Sequence, residues 1–184
     1  HNEASATVDG GHLLRTLQEG TIVRLGGKAL VATRGGRMTS RLVADGGQLV
    51  AMPVQSKNPL VMLGNAARLA DLIRKEKVTM VHARSRAPAF SALWAAHATK
   101  VPFVATYHGV YNARSSLKRW YNAVMTRGDM VIANSQFTRD HVIAEHGVDP
   151  DKVVAMEKDA AILQRIVAPA FRITSWLHQF RLVR

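Results

Sequence analysis

Five residues able to bind or to move protons close three apolar, β-rich runs. His82 and Arg84 lie in VTMVHARSR (78 to 86), His108 in FVATYHG (103 to 109), and Asn134 and Ser135 in MVIANS (130 to 135). His82 and Arg84 are two positions apart, so on a strand both project from one face. The forked donors of Arg84 suit an anionic or polyhydroxyl group; a surface or ion-paired arginine is the plainer reading. His82 reads either as a cleft residue or as a buried, hydrogen-bonded strand residue. Ser85, directly after Arg84, joins the binding set. His108 is the candidate catalytic residue, since an imidazole between Tyr107 and Gly109 could donate to an acceptor hydroxyl or a leaving phosphate near neutral pH. A satisfied structural histidine is the competing reading. Asn134 and Ser135 would line the cleft beside it, although a helix cap explains Ser135 equally well. Gly10 and Gly11, opening a helix, would set backbone N–H groups against a phosphate; a plain turn is the alternative.

The elements that must position these residues alternate. Helical spacing runs from Leu13 to Leu25 and stops at Gly26-Gly27. KALVAT (28 to 33) reads as a buried strand, Arg34-Gly35-Gly36 as a turn, about 37 to 44 as a helix, and QLVAMPV (48 to 54) as a strand. Asn58 and Pro59 supply an N-cap and a first helical residue for the longest helix, with Met62, Ala66, Leu69 and Ile73 as its apolar stripe. Then follow strand 78 to 84, helix 88 to 98, strand 101 to 107, helix 115 to 127, strand 129 to 133, helix 136 to 146 stopped by Gly147, and strand 152 to 156. Such alternation implies an α/β domain, a doubly wound Rossmann-like parallel sheet with helices on both faces. The polar clusters then meet at the carboxyl ends of the strands, where ligands of such sheets bind.

The chain has 184 residues and a formal charge of +12, from 25 Lys plus Arg against 13 Asp plus Glu. That balance favours anionic partners without choosing among sugar phosphates, acidic headgroups and nucleic acid. Cysteine is absent, which removes disulfide and thiolate chemistry. The histidines show no metal-ligand spacing, so no metal is expected, nor any other cofactor. Charges interrupt every apolar stretch before the roughly 20 residues a membrane span needs, so membrane contact would be peripheral. No nucleic-acid motif accompanies the cations, and nucleic acid is not expected as a partner.

GGRM (35 to 38), SKNPL (56 to 60), VHARSRAPAFSA (81 to 92), PFVATYHGVYN (102 to 112), LKRWYNAVMTRGDMVIANSQFT (117 to 138) and HGVDPDKV (146 to 153) occur in this order between about Thr16 and Val154. As a set they resemble the amino-terminal domain of family-4 retaining glycosyltransferases, two-domain enzymes of the GT-B architecture. Bacterial lipopolysaccharide or capsule sugar transferases read most like this chain. The resemblance implies a nucleotide-sugar donor, a glycan or glycolipid acceptor, retention of anomeric configuration and no obligatory metal. In many relatives a histidine stands where Arg84 is, so no histidine role passes to it.

The ends depart from that pattern. HNEASATVD, ahead of Gly10-Gly11, makes a poor strand, so the first strand is expected to be missing from a domain spanning 1 to 155. A sheet lacking that member would expose unpaired backbone groups and favour dimerisation or aggregation. After KVVAM the family's turn is replaced by EKDAAILQR, so the family's second nucleotide-binding domain is expected to be absent, and 156 to 184 is expected as an atypical, helical or partly ordered tail. The segment 113 to 127 interleaves Arg114, Lys118, Arg119 and Arg127 with Trp120 and Tyr121. It reads as a basic stretch for an anionic membrane surface or, more plainly, as a solvated helix face. The expected protein is cytoplasmic, at most peripheral on the inner membrane face. Two functions stay open: the acceptor-binding half of a glycosyltransferase, or a non-catalytic α/β binding module.

Overall fold

The computed structural model describes residues 4–8, 27–36, 39–111 and 114–155. Gly10 and Gly11, the helix expected from Leu13 to Leu25, and the tail from 156 lie outside those residues. Among the described residues seven strands form one parallel sheet: β1 (Ala4–Val8), β2 (Lys28–Thr33), β3 (Gln48–Ala51), β4 (Val78–Ala83), β5 (Phe103–Tyr107), β6 (Met130–Ala133) and β7 (Val153–Ala155). Their order is β3-β2-β1-β4-β5-β6-β7, a doubly wound sheet that changes direction between β1 and β4. Among the described residues five α-helices lie between the strands: α1 (Thr39–Ala44), α2 (Pro59–Glu76), α3 (Arg86–Thr99), α4 (Ser116–Asn122) and α5 (Gln136–His146).

The first strand is present, which corrects the expectation that it is missing. Ala4–Val8 pairs in parallel with β2 on one side and with β4 on the other, so ASATV occupies the centre of the sheet. Small and β-branched residues make a weak local signal, but two flanking ladders supply hydrogen bonds that no local pattern reports. The reason for expecting dimerisation through an exposed central gap falls with it.

Helix limits follow local chemistry. Asn58 Oδ1 accepts from Leu60 N at 3.0 Å and Pro59 opens α2, whose Met62, Ala66, Leu69 and Ile73 are buried. Gly147 ends α5 with a left-handed φ of 60°. β3 is shorter than QLVAMPV: Met52 N still bonds Thr33 O at 3.0 Å, but Pro53 has no N–H to continue the ladder. The helix expected over 115 to 127 divides at Asn122 and continues as a 3₁₀ turn over Ala123–Thr126. There the Asn122 carbonyl accepts from Tyr107 Oη at 2.9 Å.

The two faces of the sheet differ. Val81, Ala83, Phe103, Ala105, Tyr107, Val131 and Ala133 point into a large core with α2 and α3, where Ser91 Oγ of α3 donates to Met62 O of α2 at 2.9 Å. The opposite face carries a small cluster of Met80, Val104 and Ile132, with Met130 packed against it. Gly128 brings the turn before β6 against β5, since a Cβ there would lie 2.4 Å from Phe103 Cδ1 and 2.5 Å from its carbonyl oxygen. Asp129 fastens the same junction, its Oδ2 accepting from Phe103 N at 2.8 Å and its own N–H donating to Phe103 O at 2.9 Å.

Candidate functional site

Strand register assembles the site. His82 lies beside Val104 and Val104 beside Met130, while Thr106 lies beside Ile132. Side chains of paired parallel residues share a face and alternate along each strand. The face bearing Met80, Val104 and Ile132 therefore also carries His82, Thr106 and, continuing past the strand ends, Arg84, His108 and Asn134. Each strand on this face starts apolar and ends polar. These ends stand next to the point where strand order reverses, and Thr7 of β1 is the register partner of His82.

Two diagonal contacts tie β4 to β5. His82 Nε2 lies 2.7 Å from Thr106 Oγ1, with both residues buried. Burial drives the His82 imidazole down to about 3, aided by the neighbouring Arg84 and His108, so it is neutral across the physiological range. One step further along, Arg84 directs Nε at His108 Nε2 across 3.5 Å. Arg84 is buried, whereas His108 is half-buried. With arginine as donor, Nε2 of His108 is the acceptor, and a neutral imidazole then carries its proton on Nδ1.

The β6 residues hold the backbone in place. Asn134 Nδ2 donates to His108 O at 2.8 Å and its N–H to Tyr107 O at 3.1 Å, while its Oδ1 accepts from Thr138 Oγ1 at 2.6 Å. Asn134 is thus a strut under the His108 loop. Ser135 caps α5, accepting from Thr138 N at 3.2 Å. Ser85 occupies the cap position of α3 without a capping bond; its Oγ is buried and has no hydrogen-bond partner among the described residues. His82, Arg84, His108 and Asn134 are brought together, while Ser135 is taken up by capping.

Two supports carried no usable sequence signal. Thr106 shares the face of His108, but its partnership with His82 depends on register. Arg86 stacks 4.3 Å from the Tyr111 ring and 5.7 Å from that of Tyr121, and its Nη1 donates to Asn122 Oδ1 at 2.7 Å. It thereby locks the start of α3, the end of α4 and the loop after His108 together. A lone arginine among three aromatic or amide partners distant in sequence could not be read as a clamp. Behind the loop, Tyr107 Oη sits 3.2 Å from His146 Nε2, and burial raises the tyrosine and lowers the histidine.

The arrangement sets the Arg84 guanidinium beside the His108 imidazole, with the buried His82–Thr106 pair one row behind, suited to binding a polyhydroxyl or anionic ligand and exchanging a proton with it. Among the described residues no group of three or more potential metal ligands converges.

The sequence matches the family described as Glycosyltransferase Family 4 over residues 20–156. The crystal structure of a glycosyltransferase from Rickettsia africae ESF-5 superposes with a TM-score of 0.72 at 29% identity, covering 95% of this chain and 51% of that one. The Anabaena protein HepE in complex with UDP-glucose gives a TM-score of 0.65 at 15% identity, over 90% of this chain and 49% of that one. UDP-GlcNAc 2-epimerase from Neisseria meningitidis, bound to UDP-GlcNAc, gives 0.61 at 16% identity, over 97% and 52%. The last two establish likeness of fold alone. The chain spans about half the length of the solved structures it matches. No curated protein matches it.

Proposed function

Because this chain belongs to glycosyltransferase family 4, we propose that it forms the acceptor-binding half of an enzyme moving a sugar from a nucleotide-sugar donor to a glycan or lipid-linked acceptor. The observation that carries this reading is the row of Arg84 and His108, 3.5 Å apart at the ends of β4 and β5 beside the change in strand order. In the transfer, an acceptor hydroxyl forms a bond to the anomeric carbon as the bond to the diphosphate breaks, and negative charge grows on the leaving phosphate. Arg84 supplies fixed positive potential. His108 orients a substrate oxygen through its Nδ1–H and exchanges a proton with it. His82 and Thr106 hold the strand ends that present them, and Asn134 holds the His108 carbonyl.

The acceptor belongs to the lipopolysaccharide or capsule kind, the class implied by the motif set, and is met at the inner face of a membrane. Gly10 and Gly11, outside the described residues, keep in this reading the phosphate-binding role that a Gly-Gly pair opening a helix suggests. The donor is held mainly by a second domain, so the 184-residue chain alone is expected to be inactive.

A nucleotide-sugar transfer assay tests this, using the chain with and without a donor-binding domain joined after Val154. Transfer only by the joined protein, lost in its His108→Ala variant, is the expected result. Turnover by the short chain would refute its dependence on a second domain. Silence in both would favour a non-catalytic binding module.

A further inference from the structure

Tyr107 stands directly before His108 and faces the other way, its side chain in the large core at 1% exposure. A phenylalanine would fill that space as well, but a buried O–H needs partners. Its single proton goes to the Asn122 carbonyl at 2.9 Å, which can only accept. The lone pairs of Oη then face His146 Nε2 at 3.2 Å, and that nitrogen must carry the hydrogen. Burial lowers the imidazole of His146, the last residue of α5, so at neutral pH it is the uncharged form with its proton on Nε2. The hydrogen bonds thus run one way, from α5 through β5 to α4.

Asn122 passes this order on to the site. Its carbonyl is given to Tyr107 where the backbone enters the 3₁₀ turn, and its Oδ1 accepts from Arg86 Nη1 at 2.7 Å. The Arg86 guanidinium covers the Tyr111 ring at 4.3 Å, and that ring packs on Tyr107 at 5.0 Å. A hydrogen bond from the His108 backbone reaches the Tyr111 hydroxyl. A closed circuit that starts and ends at Tyr107 therefore grips the loop leaving His108 from the core side, while Asn134 holds the His108 carbonyl from β6.

We propose that Tyr107 and His146 are positioning residues for His108, acting through Asn122, Arg86 and Tyr111. Without the Tyr107 hydroxyl, the Asn122 carbonyl loses its donor, the break after α4 is no longer pinned, and the Asn122 amide is not held toward Arg86. Without the His146 Nε2–H, the Tyr107 hydroxyl loses the donor that fixes where its own proton points. The charged and titratable groups about His146 are Glu145 and His141 of α5, Arg119 of α4 and Tyr107 of β5. Arg119 and Glu145 are committed to each other at 2.9 Å, which leaves the Tyr107 hydroxyl to Nε2. The inference deepens the transferase reading by naming the groups behind its proposed catalytic residue, and it rests on that reading only for its kinetic test.

Nitrogen NMR of the histidine imidazoles in the 184-residue chain tests it without any transfer. At neutral pH His146 should carry its proton on Nε2, and His108 on Nδ1, the form that donation from Arg84 requires. In Tyr107→Phe and in His146→Leu, His108 should become a mixture of both tautomers, because the loop no longer holds it against Arg84. His146→Gln returns an N–H near the place of Nε2 and should restore the native signature. A merely structural role would lower the melting temperature and leave the His108 signature intact. In the protein joined to a donor-binding domain, Tyr107→Phe and His146→Leu should each lower kcat/KM for the acceptor roughly fivefold, the equivalent of about 1 kcal/mol for one hydrogen bond, and His146→Gln should not. Silence of the joined wild type would count against the transferase reading alone, since the spectra stand without it. Should Tyr107→Phe fail to fold, the two His146 variants, at a half-buried helix end, carry the test. An unchanged His108 signature in folded His146→Leu, a His146 proton on Nδ1, or equal effects of His146→Leu and His146→Gln would overturn the proposal.

Discussion

His82 Nε2 and Thr106 Oγ1 meet at 2.7 Å between β4 and β5, a buried polar pair on the face that otherwise carries Met80, Val104 and Ile132. The pair sits one row behind Arg84 and His108, so its integrity sets the spacing of the residues proposed to meet the substrate.

Thr106→Val keeps shape and removes the hydroxyl, leaving His82 Nε2 buried without its partner. A loss of about 1 to 3 kcal/mol is expected, read as a lower urea midpoint at unchanged slope. An unchanged midpoint would show that another group satisfies the imidazole.

His82 also makes stability depend on pH. Its folded value, depressed to about 3 by burial and then by Arg84 and His108, lies below the unfolded value near 6.5. Between these limits the unfolded chain binds a proton that the folded chain does not, so stability rises with pH through this window and levels above it. Acidification from pH 7 to 5 should therefore lower stability by up to about 1.4 kcal/mol per pH unit below the unfolded value. His146, also lowered by burial, adds in the same direction. His82→Gln should flatten the slope of the urea midpoint against pH, and an unaltered slope would assign it to other groups.

Gly128→Ala would drive a Cβ to 2.5 Å from the Phe103 carbonyl oxygen, a backbone atom that cannot rotate aside. A cost of about 2 kcal/mol or more is expected, with a clear fall in melting temperature. Asp129→Asn leaves Phe103 N facing a weaker, neutral acceptor and should cost about 1 kcal/mol. Equal melting of both variants and the wild type would mean that the β5–β6 junction yields freely.

Arg86→Lys retains the charge but loses the planar stack on Tyr111 and the fork toward Asn122. A modest loss of about 1 kcal/mol is expected. In the protein joined to a donor-binding domain, the variant should raise the acceptor KM more than it lowers kcat, because Arg86 positions the loop after His108 rather than reacting. A fall in kcat alone would place Arg86 among the groups acting on the transition state.

Local chemistry was enough to read most of the helices and the alternation. The Asn58 cap, Pro59 and the stripe from Met62 to Ile73 act within one helix, and Ser135 and Gly147 delimit α5 by bonds spanning a few residues. These signals also implied the parallel sheet and, through the polar ends of the apolar runs, the gathering of His82, Arg84, His108 and Asn134 at one edge. What tertiary structure alone decided rests on pairing between distant segments. Ala4–Val8 is a central strand because β2 and β4 hydrogen-bond to it from both sides. Thr106 serves His82 because register sets them diagonally across two strands. Arg86 finds Tyr111, Tyr121 and Asn122 because α3, α4 and the loop after β5 converge on it. Residues 24 and more apart come within bonding distance only when the whole sheet is formed, and no spacing along the chain encodes the distance between them.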